Sequence, residues 1–260
     1  MGATELLAAY LNANPGITGR VIDFDANVDK LYQLDLTESN LELTIELVTD
    51  TAAFSKWISH AIAANNCRYG IGGYMEHRTI YNRSSLFDTA GEPRRLHLGV
   101  DIWGDAGTPV YAPLAGHIHS FADNNNFGDY GATIILQHNL QGFTLYSLYG
   151  HLSRKSLTGL QTGQSVKVNQ QIATLGDVNE NGNWPPHLHF QLILNVGDAK
   201  GDYPGVGKYS EKENYLKNIA DPNLILQLAG MVNSFYKVGS CNIIYFPITF
   251  FIFTNTYTVN

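Results

Sequence analysis

From Thr51 onward the apolar positions Phe54, Trp57, Ile58, Ala61 and Ile62 recur at three- and four-residue steps. That spacing predicts an amphipathic helix, with Asp50 or Thr51 as its N-cap and an end near Asn65-Asn66. Ahead of it, residues 21–24 and 31–36 read as short strands, so residues 1–66 are predicted to form a small α/β segment. Beyond Cys67 the texture becomes that of strands, at 108–111, 116–121, 132–137, 143–148 and 188–194. Asn- and Pro-rich turns separate them, as in Asp123-Asn124-Asn125-Asn126 and across 179–186. Asp221-Pro222-Asn223 then starts a short apolar helix at 224–228. The predicted fold class is α+β, mainly β: an antiparallel-sheet domain over 67–228, preceded by the segment 1–66 and followed by an apolar tail, 229–260.

Composition supports a folded chain. Of 260 residues, 44% are hydrophobic and 15% charged, which excludes extensive disorder. The 25 glycines, with 15 Tyr and 12 Phe, favour strands joined by tight turns. A formal charge of -7 argues against electrostatic binding to nucleic acid or anionic lipid. Cys67 and Cys241 cannot make a disulfide framework, and both a single bridge and two thiols remain open. No Lys or Arg precedes Arg20 and no long apolar stretch opens the chain, so no secretory signal is expected. Residues 243–253 are apolar except for Pro247 and Thr249, but they fall short of the ~20 a spanning helix needs. No transmembrane helix is expected, and the tail reads as a buried or aggregation-prone strand.

The chemistry lies in the histidines. Zinc takes nitrogen, sulfur or carboxylate ligands, and a catalytic site keeps one position open. Three stretches could supply them: His97-Leu98-Gly99-Val100-Asp101, Tyr149-Gly150-His151-Leu152 and Pro186-His187-Leu188-His189-Phe190. On a strand, positions i and i+2 share a face, so His187 and His189 enter one site. His97 and Asp101 would sit ~13 Å apart on a straight strand, too far to share a metal. A helix would serve that spacing, but Gly99 followed by Val100 and Ile102 is poor helix sequence. A bend at Gly99 that folds His97 back toward Asp101 is the preferred reading. His117 and His119 read as exposed strand residues, His138 and His77 as surface or rim residues, and His60 as a surface residue of the helix. Trp184, with Pro185 and Pro186, is either a substrate wall or a packed turn. The run from Gly70 to Tyr74 lacks the Lys-Ser/Thr of a phosphate loop and reads as a turn beside the site.

The order of motifs says more than any one of them. HLGVDIWGDAGTPVYAP, GDYGATIILQH, TLYSLYGHL, GQSVKVNQQIATLG and PPHLHF follow one another across about residues 70–195. This succession resembles the lysostaphin-type (LytM-like) zinc metallopeptidases, the peptidoglycan endopeptidases. The resemblance implies that His97, Asp101 and His189 bind Zn2+, and that His151 and His187 are the two catalytic histidines beside it. It implies a peptidoglycan peptide as substrate and a cell-envelope location. The missing export signal leaves the cytoplasm open, and the oligomeric state is unspecified. No HExxH motif brings a glutamate base. Histidine titrates in the range needed to take a proton from water or to stabilise an oxyanion, so His151 and His187 are expected to share those roles. Three features depart from the family pattern: Trp184-Pro185-Pro186 before the last histidine pair, Gln191 where Glu is common, and an upstream tyrosine matched only by Tyr74 or Tyr81.

Two rivals stand beside this reading. One is a non-catalytic module of the same fold that binds wall peptide or regulates a hydrolase, against which all five filled positions argue. The other is a histidine phosphocarrier of similar β architecture, which would have no use for Asp101 as a ligand.

Overall fold

The structure is a computed structural model that describes residues 2–228, so the expected tail strand at 243–253 and Cys241 lie outside the described residues. One nine-stranded sheet dominates it. Across the sheet run Leu31–Gln33, Tyr69–Gly72, Val100–Trp103, His187–Ile193, Phe143–Leu152, Gly131–Leu140, Gly116–Asn124 and Ser165–Val166, while Ile219–Ala220 pairs with the far end of His187–Ile193. All neighbours are antiparallel except the first two strands, which pair in parallel. The fold is mainly β, as the alternation predicted. Two small two-stranded sheets flank it, Pro109–Tyr111 with Gln171–Thr174 and Leu96–His97 with Val206–Gly207.

Both faces of the sheet centre are covered, and every residue of His187–Ile193 is buried. Leu188, Phe190 and Leu192 point into the larger core with Val100, Ile102, Ile134 and Tyr149. Period two then turns His187, His189 and Gln191 to the opposite face. The segment 1–66 shares these cores: Ala3 and Leu7 of the helix Ala3–Ala13 join the larger one, and Phe54 and Ile58 of Thr51–Ala64 pack into a second with Trp103. The Thr51–Ala64 helix follows its predicted stripe and is capped by Asp50, whose side chain accepts from the Ala52 and Ala53 amides. No helix among the described residues is long and apolar enough to cross a membrane.

Several expected boundaries shift. No strand forms at 21–24, although Val21 and Ile22 are buried; the Val21 carbonyl takes one hydrogen bond from Tyr111 N and no ladder follows. The apolar pattern had registered burial there rather than pairing. The strand expected at 31–36 stops at Gln33, while Leu34 and Leu36 pack into the second core outside it. The expected helix at 224–228 is Asn223–Leu226. The helix Ala3–Ala13 had no counterpart among the predicted elements.

Candidate active site

Three neighbouring strands carry four of the five expected residues. In the ladder His189 stands opposite Asp101 on one side and Gly150 on the other, and His187 stands opposite Trp103. His187 and His189 therefore share a face as the period of two requires, and Trp103 stacks on the His187 ring with centroids 4.0 Å apart.

His97 arrives from a different sheet. The chain leaves Leu96–His97 and enters Val100–Trp103 across Leu98-Gly99, which brings His97 Nε2 to 3.2 Å from Asp101 Oδ1. The approach comes from a change of sheet, not from one helix face. Gly99 also leaves room: a Cβ there would lie 2.7 Å from His189 Nε2 and 2.7 Å from the Phe190 carbonyl oxygen.

His151 reaches the site through a bulge. Tyr149 and Leu152 both face the larger core, three residues apart, where their partners Ile134 and Ala132 are two apart. The extra residue breaks the alternation, and His151 takes φ 62, a left-handed conformation that an imidazole seldom adopts. Its ring then faces His187, with centroids 4.1 Å apart.

Hydrogen bonds fix the tautomers of all four rings. His97 Nδ1 lies 2.8 Å from the Gly73 carbonyl, His151 Nδ1 2.8 Å from that of Asn181, and His187 Nδ1 2.8 Å from that of Pro185. A carbonyl only accepts, so each Nδ1 carries the proton and each Nε2 a lone pair. His189 is turned the other way. Its Nε2 lies 3.0 Å from Gln191 Oε1, whose amide is oriented by donating from Nε2 to the Pro204 carbonyl, so the lone pair is on Nδ1.

Three acceptors consequently converge. His97 Nε2 and His189 Nδ1 are 2.9 Å apart, and they lie 3.2 and 3.1 Å from Asp101 Oδ1. No proton is available between two lone pairs and a carboxylate, so a cation is what the arrangement suits. Ligands ~2.0–2.1 Å from zinc at tetrahedral corners stand about 3.3 Å apart, and two imidazoles with one carboxylate form a usual zinc donor set. His97, Asp101 and His189 thus fit a zinc ion, and all three are buried.

The surrounding electrostatics hold the group in that protonation state. Burial, followed by the charge of Arg78, pushes His97 down to about 3. Burial likewise lowers His187 to about 4, and burial with the neighbouring His187 ring holds His151 well below the usual histidine range. Burial works against the Asp101 carboxylate, but the adjoining His97 ring and the Arg78 guanidinium prevail and hold it well below its usual value. Arg78 Nη1 donates to Asp101 Oδ2 at 2.5 Å, and Arg78 Nε donates to Glu76 Oε2 at 2.7 Å.

A groove opens over these residues, walled by Tyr81, Phe87, Trp103, Tyr130 and Trp184, with His151, His187 and His189 at its base. Trp184 is both of the things its position suggested, a packed turn residue and a wall of the groove. Of the two candidate tyrosines, Tyr81 lines the groove, whereas Tyr74 donates its hydroxyl to the Ile219 carbonyl away from it. His138 is not a surface residue: it is fully buried, bonded to the Ala115 carbonyl and to Ser147. His117 and His119 are half-buried, and His77 and His60 are exposed. Arg78, Glu76 and Asn181 escaped the motif reading, since nothing in their spacing ties them to the histidines. Gln191 had stood out only as a departure from pattern.

Comparison with known proteins bears out the resemblance carried by the motifs: residues 95–200 match the model of Peptidase family M23. The chain is 31% identical over 115 residues to the peptidoglycan DD-endopeptidase ShyC of Vibrio cholerae, covering 44% of this chain and 24% of that protein. It is 32% identical over 133 residues to the L-Ala--D-Glu endopeptidase of Bacillus subtilis, covering 48% and 39%. The solved catalytic domain of the antimicrobial peptidase lysostaphin from Staphylococcus simulans is 27% identical, with 66% of this chain and 97% of that chain covered and a TM-score of 0.41. The chain spans well under half the length of the curated relatives it matches.

Proposed function

We propose that this M23-type domain is a zinc-dependent endopeptidase that hydrolyses peptide bonds in peptidoglycan cross-links or stems. The reading rests above all on the three convergent acceptors, His97 Nε2, Asp101 Oδ1 and His189 Nδ1, beside two further imidazoles with unprotonated Nε2 atoms. Zinc held by those three atoms supplies a Lewis acid that polarises the scissile carbonyl and acidifies water. The remaining steps belong to the chain. His151 and His187 have their Nδ1 protons committed to the Asn181 and Pro185 carbonyls, so only Nε2 is free to act. One Nε2 takes the proton from the attacking water, and the protonated ring then donates to the oxyanion or to the departing amine. Trp103, stacked on His187, keeps that ring in plane and excludes water from its outer face. Tyr81, Phe87 and Tyr130 line the cavity over the histidines and would flank the scissile part of the peptide there.

The test is incubation of zinc-loaded protein with purified sacculi of several wall types, with mass spectrometry of released peptides. Cleavage products that disappear in His151→Ala, with zinc retained, are the expected result. The two relatives are named for different bonds, one a peptidoglycan DD-endopeptidase and the other an L-Ala--D-Glu endopeptidase, and the new termini identify which kind of bond this domain cuts. Absence of products from every wall type, with zinc bound, would refute the peptidoglycan assignment and favour the non-catalytic module.

A further inference from the structure

Arg83 is an anomaly in the wall behind the groove. It is 5% exposed, and no carboxylate among the described residues pairs with it. Its guanidinium lies 4.4 Å from the centroid of the Trp184 ring and 5.0 Å from that of Phe127, and its Nε and Nη1 have no hydrogen-bond partner. Only Nη2 is satisfied, donating to the Asn183 carbonyl at 2.9 Å and to Thr51 Oγ1 at 2.9 Å. Thr51, the first residue of the helix Thr51–Ala64, donates in turn to the same Asn183 carbonyl at 3.1 Å. A buried cation without a counter-ion is expensive to keep, even with ring faces beside it. Here it grips one backbone oxygen.

That oxygen belongs to the turn that fixes two imidazoles. Residues 181–186 supply both carbonyls that take the Nδ1 protons, Asn181 for His151 and Pro185 for His187. The turn is conformationally demanding, with Gly182 at φ 80 and Asn183 at φ 64. A Cβ on Gly182 would overlap the Asp129 carbonyl at 1.8 Å. Inside the turn, Asn181 donates from Nδ2 to the Trp184 carbonyl at 2.9 Å and accepts from Trp184 N at 3.1 Å. These bonds shape the turn, and its flanks are tied down by Gly128 N donating to the Gly182 carbonyl at 2.8 Å and Gly104 N to the Pro186 carbonyl at 3.3 Å. Arg83 and Thr51 fix the Asn183 peptide between those flanks, one through the Trp184 face and the Asn183 carbonyl, the other through the same carbonyl.

We propose that Arg83 and Thr51 are positioning residues: they clamp the Asn183 carbonyl so that the 181–186 turn holds His151 and His187 in the tautomer with a free Nε2. The N-terminal segment thereby acquires a task, because the start of its long helix forms half of the clamp. The inference rests on the proposed peptidase reading for its kinetic consequence, but not for its tautomeric one. Neither residue touches substrate; each acts through the turn.

The test uses long-range proton–nitrogen NMR of 15N-labelled, zinc-loaded full chain, which distinguishes Nδ1–H from Nε2–H imidazoles, together with steady-state kinetics on sacculus-derived peptides. In Arg83→Met the Nδ1–H signatures of His151 and His187 are expected to be lost or exchange-broadened, with the Nδ1–H of His97 and the Nε2–H of His189 unchanged. In the same variant kcat is expected to fall roughly tenfold to a hundredfold, with KM and zinc content near wild type. Arg83→Lys, which can still donate to the Asn183 carbonyl, restores part of the kcat. Wild-type tautomer signals and kcat in Arg83→Met would overturn the proposal. Should that variant fail to fold, Thr51→Ala decides by the same two readouts, and an unchanged spectrum and kcat there overturns it equally. A wild-type protein that cleaves nothing defeats the peptidase reading, while the tautomer measurement still decides the clamp.

Discussion

Arg78 Nη1 and Asp101 Oδ2 form a fully buried ion pair, 2.5 Å apart, and the opposite oxygen of Asp101 faces the His97 and His189 imidazoles. The carboxylate is thereby divided, one oxygen for the guanidinium and one for the proposed zinc. Gly72 makes room for this, since a Cβ there would lie 2.5 Å from Arg78 Nη2. Residues behind a ligand orient it, and their loss typically costs about 10- to 100-fold in metal affinity. Arg78→Met is expected to weaken zinc binding by that factor, measured by competition with a chromophoric chelator. An unchanged affinity would mean that Arg78 serves the fold alone. Arg78→Lys separates charge from geometry: it retains a cation but not the fork that reaches Asp101 and Glu76 together.

Gln191 orients the other end of the ligand set, accepting from His189 Nε2 at 3.0 Å while its own amide donates to the Pro204 carbonyl. Gln191→Leu leaves the buried His189 N–H without an acceptor and frees the ring to turn. Zinc affinity is expected to drop by about 10-fold or more. Gln191→Glu keeps an acceptor and is expected to bind zinc at least as tightly as wild type. The chelator competition decides, and equal affinities for the Leu and Glu variants would dismiss the orienting role.

How far the site could be read from the sequence follows from these same residues. His187 and His189 were legible because strand geometry alone puts i and i+2 on one face. The His97–Asp101 partnership was legible only as a bend of unspecified kind, because its cause is a change of sheet between Leu96–His97 and Val100–Trp103, set by the distant partners Val206 and His189. His151 was legible through motif context but not through alternation. In an unbroken strand it would follow Tyr149 into the larger core, and the bulge that turns it out has no local mark other than Gly150. Arg78 and Arg83 were silent because a buried arginine and a surface one look the same in a sequence. The strands at 116–121, 132–137, 143–148 and 188–194 were legible, where β-branched and aromatic runs are long, but Val100–Trp103 was missed and the strand Tyr69–Gly72 lies where the glycine-rich run from Gly70 had read as a turn. They were read poorly at 21–24, where burial occurs without pairing.

Gly99 offers a steric test of the site. A Cβ there meets the His189 ring at 2.7 Å and the Phe190 carbonyl at 2.7 Å, closer than real contacts allow. The backbone carbonyl is fixed in the sheet, so the ring is the part that gives. Gly99→Ala is expected to destabilise the fold by roughly 1–3 kcal/mol, the usual cost of overpacking, and to weaken zinc binding as well. Thermal unfolding with and without chelator separates the two effects. A variant with a wild-type response to zinc would show that His189 has slack in its position.

His138 predicts the acid sensitivity of the fold. It is fully buried on the core side, its Nδ1–H donating to the Ala115 carbonyl and its Nε2 accepting from Ser147, 2.7 Å away. Burial lowers it from 6.5 to about 4, opposed by the Ala115 bond. The unfolded chain therefore takes up a proton at this residue in a window where the folded chain refuses it. Stability is full above pH 6.5, falls as the pH drops from 6.5 toward about 4, and levels off below that value as the folded form also protonates. Within the window one such histidine contributes a slope of up to about 1.4 kcal/mol per pH unit. His97 and His187 are depressed in the same direction, so the comparison must isolate His138. Urea unfolding of wild type and His138→Gln at a series of pH values does so, since glutamine cannot titrate. The variant is expected to lose stability less steeply between pH 6.5 and about 4. Parallel curves for the two proteins would place the acid sensitivity elsewhere, in the histidines of the groove.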